Sequence, residues 1–301
     1  MTTTTLAPTA ETATVRQPDT FWRRLGRQRL GAVSLALIAL LALAAILAPW
    51  LYPHDPSVPD FTSINAGPEL AHPLGTDRLG RDTLARVLAG LRVSLLVGVF
   101  VEIINIALGA TLGLLAGYFG GWVDTLIARL ADMLFAFPGL LLAILVAAVF
   151  GAWVTETYGS TARLMLVAGS ISLVGWPLMA RYVRGQTLSI RERDFVLAAR
   201  SLGLREGSIL WNHILPNVTG LVITAATLDL VNAIVGEATL SLLGLGIQSP
   251  DTSIGKMIVE GAPLLAQNPM LVLAPAITLA VVVLLFSFLG DALRDAFDPE
   301  T

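Results

Sequence analysis

The chain has 301 residues, of which 55% are hydrophobic and only 14% charged, with a formal net charge of −3 and no cysteine. Soluble domains carry about 25% charged residues, so this composition excludes a disordered chain, a coiled coil and an ordinary water-soluble enzyme, and it predicts an all-α polytopic membrane protein. The small net charge argues against a nucleic-acid partner, and without Cys there is no disulfide, Cys-ligated zinc or thiol nucleophile.

Residues 1–30 read as a disordered cytoplasmic tail and basic flank: 1–20 is rich in Thr and Ala with no helical or strand period, and Arg23, Arg24, Arg27 and Arg29 follow. Six apolar stretches follow, each long enough to cross a hydrocarbon core of about 30 Å. They are residues 31–51, 93–118, about 130–149, about 164–182, about 220–245 and 271–289. Helices are expected, because lipid leaves no partner for unpaired backbone groups and these runs are too long for barrel strands. The first stretch has the basic flank and small residues (Ala42, Ala44) of a secretory signal, but it exceeds the roughly 7–15 apolar residues of one. It is expected to stay as a membrane helix.

Basic residues set the orientation. With the N-terminus inside, Arg129, Arg181, Arg184, Arg191, Arg193, Arg200, Arg205 and Arg294 join the N-terminal arginines in the cytoplasm. Arg78, Arg81, Arg86, Arg92, Arg163 and Lys256 fall outside. Both termini and the 183–217 loop are then cytoplasmic. The 52–92 segment is external, 93–290 is a five-helix core with its loop, and 291–301 is a second cytoplasmic tail.

The second span is one-sided. Glu102, Asn105, Gly109, Gly113 and Gly117 share a face, and Gly109 to Gly121 make three overlapping GxxxG steps. This pattern fits a packing seam, or a path-lining face for Glu102 and Asn105, since an acid at helix centre avoids lipid. The fifth span places Asp229, Asn232 and Gly236 on one face with Glu237 beside it. These groups either bond neighbouring helices or line a substrate path. The three histidines, His54, His72 and His213, are widely spaced, and no metal site is expected.

The 183–217 loop predicts a helix–turn–helix, with Gly203 at the turn and Leu215-Pro216 separating it from the fifth span. Its apolar set includes Phe195, Leu197, Ala198, Leu202, Ile209, Leu210 and Ile214. That set packs on the chain's own helices or docks into a partner's groove. In the external segment, Asp77–Arg81 and Asp82–Arg86 are i,i+4 pairs interleaved with Leu79, Leu84, Leu88 and Leu91, predicting an amphipathic helix that leads into the second span. Its role is an interfacial anchor or contact with a substrate-delivering partner.

The string LAARSLG, nine residues, then HILP resembles the coupling loop of ABC-importer permeases, with Ala198, Ala199, Gly203, Leu215 and Pro216 in register. Leu197 stands where that family's motif has Glu, and His213 where it has Ile. HPLGTDRLGRDTLARVLAGLRVSL from His72 is similar to the dipeptide/oligopeptide/nickel importer permeases, with Ala85 in place of a frequent Ser. The stretches from Gly117, Gly236 and Ser249 resemble the same family. The single span before His72 resembles its C-type subunit.

The resemblance implies six helices around a cytoplasmic coupling helix. It implies that Leu197, Ala198, Ala199, Gly203, Ile209, His213, Leu215 and Pro216 form a surface for ATPase subunits. Two ATP-binding subunits, a homologous permease making a heterodimer and an external substrate-binding protein are the implied partners, with di- or oligopeptides, nickel chelates or glutathione-like molecules as cargo. Asp77, Arg78, Arg81, Asp82 and Lys256 are candidates for the binding-protein contact, and Glu102, Asn105, Asp229, Asn232 and Glu237 for the path. The chain carries no G-x-x-x-x-G-K-[ST] loop, so ATP and Mg²⁺ are expected on partner subunits and no cofactor here. An ion-coupled transporter with Glu102, Asp229 and Glu237 as proton relay is the reading from another class. An intramembrane enzyme lacks a visible catalytic constellation.

Overall fold

A computed structural model describes residues 28–249 and 251–297. The expected tail over 1–27, with Arg23, Arg24 and Arg27, and residues 298–301 lie outside the described residues. Among the described residues the fold is all-α, with only an isolated bridge between Thr76 and Asp82. In chain order the helices are α1 (Arg29–Leu51), α2 (Thr83–Phe119), α3 (Gly121–Phe135), α4 (Gly139–Tyr158) and α5 (Ser160–Ile190). They continue with α6 (Asp194–Ser201), α7 (Glu206–Leu242), α8 (Ile254–Gly261) and α9 (Met270–Phe297). Helices α1, α2, α4, α5, α7 and α9 are the six long and apolar enough to cross a membrane.

Several helices outrun their apolar stretches, since charged ends continue the helical hydrogen-bond ladder beyond the hydrocarbon. The third stretch is corrected. The expected span over about 130–149 straddles a break at Phe137-Pro138, where α3 ends and α4 begins. Proline excludes its predecessor from helical geometry, and an average over apolar residues does not register that. The fifth span is corrected in the opposite sense. Pro216 does not separate it from the loop, because α7 runs unbroken from Glu206. A π segment at Leu210–Ile214 widens the turn just before the proline, and Asn217 Nδ2 donates to the His213 carbonyl at 2.7 Å. The wider turn relieves the clash a proline ring makes with the carbonyl four residues back.

The 52–92 segment is corrected as well. The helix expected from Asp77 starts only at Thr83. Asp77 Oδ1 instead accepts the backbone N–H groups of Leu79 at 2.8 Å and Arg81 at 3.0 Å, and Gly80 adopts φ 74°. A carboxylate bonding its own local backbone competes with the helix. Asp82 then caps α2 by accepting the Ala85 N–H at 2.7 Å. Its partner is His72, not Arg86.

Helix α5 is the spine, packing against α2, α3, α4 and α7, while α1 and α8 close on α9. The glycine seam of α2 faces α5. A Cβ at Gly113 would stand 2.5 Å from the Ala180 carbonyl oxygen and 2.9 Å from Val183 Cβ, and one at Gly117 2.8 Å from the Arg184 carbonyl. Gly121 is not part of the seam, because the helix breaks at Gly120, φ 63°. Gly113→Val is expected to destabilise the fold by about 3 kcal/mol, the upper range for overpacking. A thermal melt of the purified protein in detergent measures it, and an unchanged midpoint would mean that the helices do not meet there.

Candidate functional site

Three clusters carry the chemistry. The first lies where α2, α5 and α7 meet. Asp229 Oδ2 accepts from Asn105 Nδ2 at 3.0 Å, and its Oδ1 from Asn232 Nδ2 at 3.2 Å. Glu102 is buried, 6% exposed, with Asp229 and Asn105 as its polar neighbours. A π segment begins at Asn105, one turn past Glu102, so α2 is locally rewound where its polar residues sit. Such segments recur at functional sites. Glycine at 175 lets α5 lie directly on the Asn105 side chain.

Glu237 does not join this group. It is fully buried, accepting from Ser94 at 2.8 Å and Ser241 at 2.7 Å, while Ser253 donates to Ser241 at 3.1 Å. In this conformation it ties α2, α7 and the start of α8 together.

The second cluster is the arm formed by the end of α5, α6, Gly203 and the start of α7. Its inner face, with Val196, Ala199, Ile209, Leu210 and Ile214, packs among Leu114, Tyr118, Val183 and Ile190. Its outer face leaves Phe195 39%, Leu197 41%, Leu202 80% and Trp211 57% exposed. The apolar set therefore divides: half holds the arm to the bundle and half is unpartnered. Ala198 and Pro216 are exposed, and Leu215 and His213 are half-buried. Arg191 Nη1 donates to the Gly117 carbonyl at 2.9 Å, placing a cation at the C-terminus of α2. The Tyr118 hydroxyl donates to Glu206. Arg184 Nη2 meets Asp124 at 2.7 Å and holds that carboxyl below the usual carboxylate range. The α3–α5 tie is thus present at neutral pH and is lost as pH falls through the lowered value. The Arg191 and Tyr118 contacts join both ends of the arm to the end of α2.

The third cluster lies where the 72–86 segment meets α8. Asp77 Oδ2 accepts from Arg81 Nε at 2.8 Å and Arg86 Nη1 at 2.6 Å, and Arg86 Nη2 reaches Glu260 at 2.6 Å. Asp77 and Asp82 are buried, so they brace this face and do not present a surface; Arg78 is exposed. Lys256 Nζ donates to Ser249 Oγ at 3.0 Å and the Asp251 carbonyl at 2.9 Å. Burial holds the Lys256 ammonium below its ordinary pKa, with Glu260 opposing and Arg86 and Arg81 reinforcing that shift. The sequence reading missed Glu260, whose ion-pair partner lies 174 residues away. It also missed Arg163, which donates to the Leu245 carbonyl at 2.6 Å and the Gly246 carbonyl at 3.1 Å. No local pattern marks either.

Residues 109–301 match the family model "binding-protein-dependent transport system inner membrane component", and residues 19–68 match the "N-terminal TM domain of oligopeptide transport permease C". The chain is 38% identical over 295 residues to the glutathione transport system permease protein GsiD of Pectobacterium atrosepticum, covering 97% of this chain and 95% of that one. It is 40% identical over 288 residues to GsiD of Escherichia coli O6:K15:H31, covering 95% and 92%. Among solved structures, inward-facing forms of the MetNI methionine ABC transporter share the fold. The TM-score is 0.53 at 17% identity, over 71% of this chain and 96% of that chain.

Proposed function

Because the chain belongs to the family of binding-protein-dependent transport system inner membrane components, the permease subunits of ABC importers, we propose that it carries small peptides of the glutathione class into the cell. The observation that carries this reading is near-full-length identity of 38–40% to permeases named for glutathione. Longer peptides and nickel chelates are the other cargoes of the wider group.

In this reading both termini and the arm face the cytoplasm, and the chain pairs with a homologous permease. ATP and Mg²⁺ act on two separate ATPase subunits that grip the exposed side of α6 through Leu197, Ala198 and Leu202. Closure of the ATPases moves the arm, and its bracing by Arg191 and Tyr118 passes the motion to α2 and α5. Different docking of the arm in the two ATPase states supplies the free energy for switching. An external binding protein delivers cargo onto the face bearing Arg78, Arg81 and Lys256. Glu102 and Asp229, with Asn105 and Asn232, meet the ammonium group of the peptide as it passes.

Uptake by proteoliposomes containing the assembled importer and its binding protein tests both levels. ATP-dependent glutathione uptake is expected. Asp229→Asn or Glu102→Gln is expected to lower it about tenfold, since a hydrogen bond to a charged group contributes about 1.5–3 kcal/mol. Unchanged uptake in both variants removes the carboxylates from the path. Uptake driven by a proton gradient without the ATPases overturns the importer mechanism.

A further inference from the structure

We propose that His54, His72 and Asp82 form a binding site for a borderline divalent metal ion of the zinc class on the external rim of the permease. Spacing along the chain argued against any such site, but folding of the 52–82 segment brings two of the three histidines together. Their rings are 4.7 Å apart, and one ligand atom from each histidine and from Asp82 lie within 4.8 Å of one another. Imidazole nitrogen and carboxylate oxygen are the donors zinc takes, at about 2.0–2.2 Å, leaving room for water at a fourth position.

The donors are held in place. Asp82 Oδ1 is fixed by the Ala85 N–H at the start of α2, which turns Oδ2 toward His72 Nδ1 at 2.8 Å and the Tyr52 hydroxyl at 3.1 Å. Tyr52 belongs to the surroundings and is not a ligand. Its hydroxyl donates to Oδ2 and so orients that oxygen. His54 meets Tyr52 and His72 ring to ring. Being half-buried, it has freedom to swing its nitrogen inward. Tetrahedral bonds of about 2.0 Å put ligand atoms about 3.3 Å apart. The His72–Asp82 pair then opens by about 0.5 Å as the ion replaces the proton between them, and His54 closes the rest.

The local charge favours a cation. Asp55 lies next to His54 in the chain and accepts from the Ser57 N–H, and Asp60 in the same segment accepts from the Thr62 N–H. Arg92, beside His54 in the groove against α1, is the opposing charge. A bound ion ties the segment after α1 to the first residues of α2, bracing the external loop. This site is independent of the cargo assigned above.

The test uses full-length protein without a histidine tag, in nanodiscs. Titration with Co²⁺ is expected to give the visible absorption of a nitrogen- and oxygen-ligated ion, saturating at one per chain and displaced by Zn²⁺. His54→Ala is expected to weaken binding at least tenfold, and His213→Ala, on the cytoplasmic arm, to leave it unchanged. Hydrogen exchange across residues 53–82 is expected to slow with Zn²⁺ in the wild type and not in His54→Ala. Absence of Co²⁺ binding overturns the proposal, as does equal binding by His54→Ala. Because His54 contributes no cap or ion pair, its replacement keeps the fold and the comparison stays readable.

Discussion

Gly203→Val is expected to lower transport-coupled ATP hydrolysis and uptake about tenfold, while Gly203→Asn keeps most of both. Gly203 sits at φ 74°, and a Cβ built there meets no heavy atom within 4 Å. Backbone strain is therefore the whole effect, with no steric clash added. A β-branched residue pays about 1–2 kcal/mol in the left-handed region, which Asn visits more readily. At about 1.4 kcal/mol per factor of ten, that strain is enough to depopulate the turn tenfold. The turn matters because it sets Leu202, 80% exposed, on one side and Leu204, packed against the buried arm cluster, on the other. Rebuilding it redirects the exposed face of α6 while α5 and α7 remain anchored, so the amount of membrane-inserted protein is expected to match wild type. Full coupling in the Val variant would remove the turn from the transmission path. Equal loss in Val and Asn would point to a requirement for bare backbone at the ATPase surface.

The six spans were legible because a bilayer demands long apolar runs whatever the tertiary contacts are. The arm was legible through the spacing of Ala199, Gly203 and Pro216, although not the division of its apolar residues. Ala199 and Ile209 turn inward and Leu197 and Leu202 outward because the ends of α2 and α5 cover one side, and that cover comes from distant sequence. The Pro138 break was visible as a residue but was outweighed by the apolar average. Helix face alone placed Asp229 with Asn232, and helix packing added Glu102 and Asn105. It separated Glu237, whose neighbours Ser94 and Ser253 lie on other segments. The His54–His72 contact depends on a loop closing through Asp77 and Gly80, and no periodicity encodes such a closure.

Arg86→Met is expected to destabilise the end of the bundle where α2 begins by about 3 kcal/mol. The Arg86 side chain is 5% exposed and bridges Asp77, 7% exposed, to Glu260, 24% exposed. Removing one partner of a buried ion pair costs about 3–5 kcal/mol, because the remaining charges stay desolvated without compensation. The lower figure applies here, since Arg81 still reaches Asp77 at 2.8 Å and Glu260 at 3.5 Å. Met matches the aliphatic stem, so packing against the helix is retained and the loss is electrostatic. Arg86→Lys is expected to recover only part of it, because an ammonium does not reproduce the two-pronged geometry that joins the two carboxylates. Adding Glu260→Gln to Arg86→Met removes one stranded charge and is expected to restore about 1–2 kcal/mol, within the range of coupling between residues in contact. Thermal melts of Arg86→Met, Glu260→Gln, the double variant and wild type in one detergent give the cycle, and limited proteolysis across 52–82 locates the loosening. Strict additivity of the two substitutions would show that Arg86 and Glu260 do not act on each other, and the α8 segment would then be held to α2 by Ser94 and Ser253 instead.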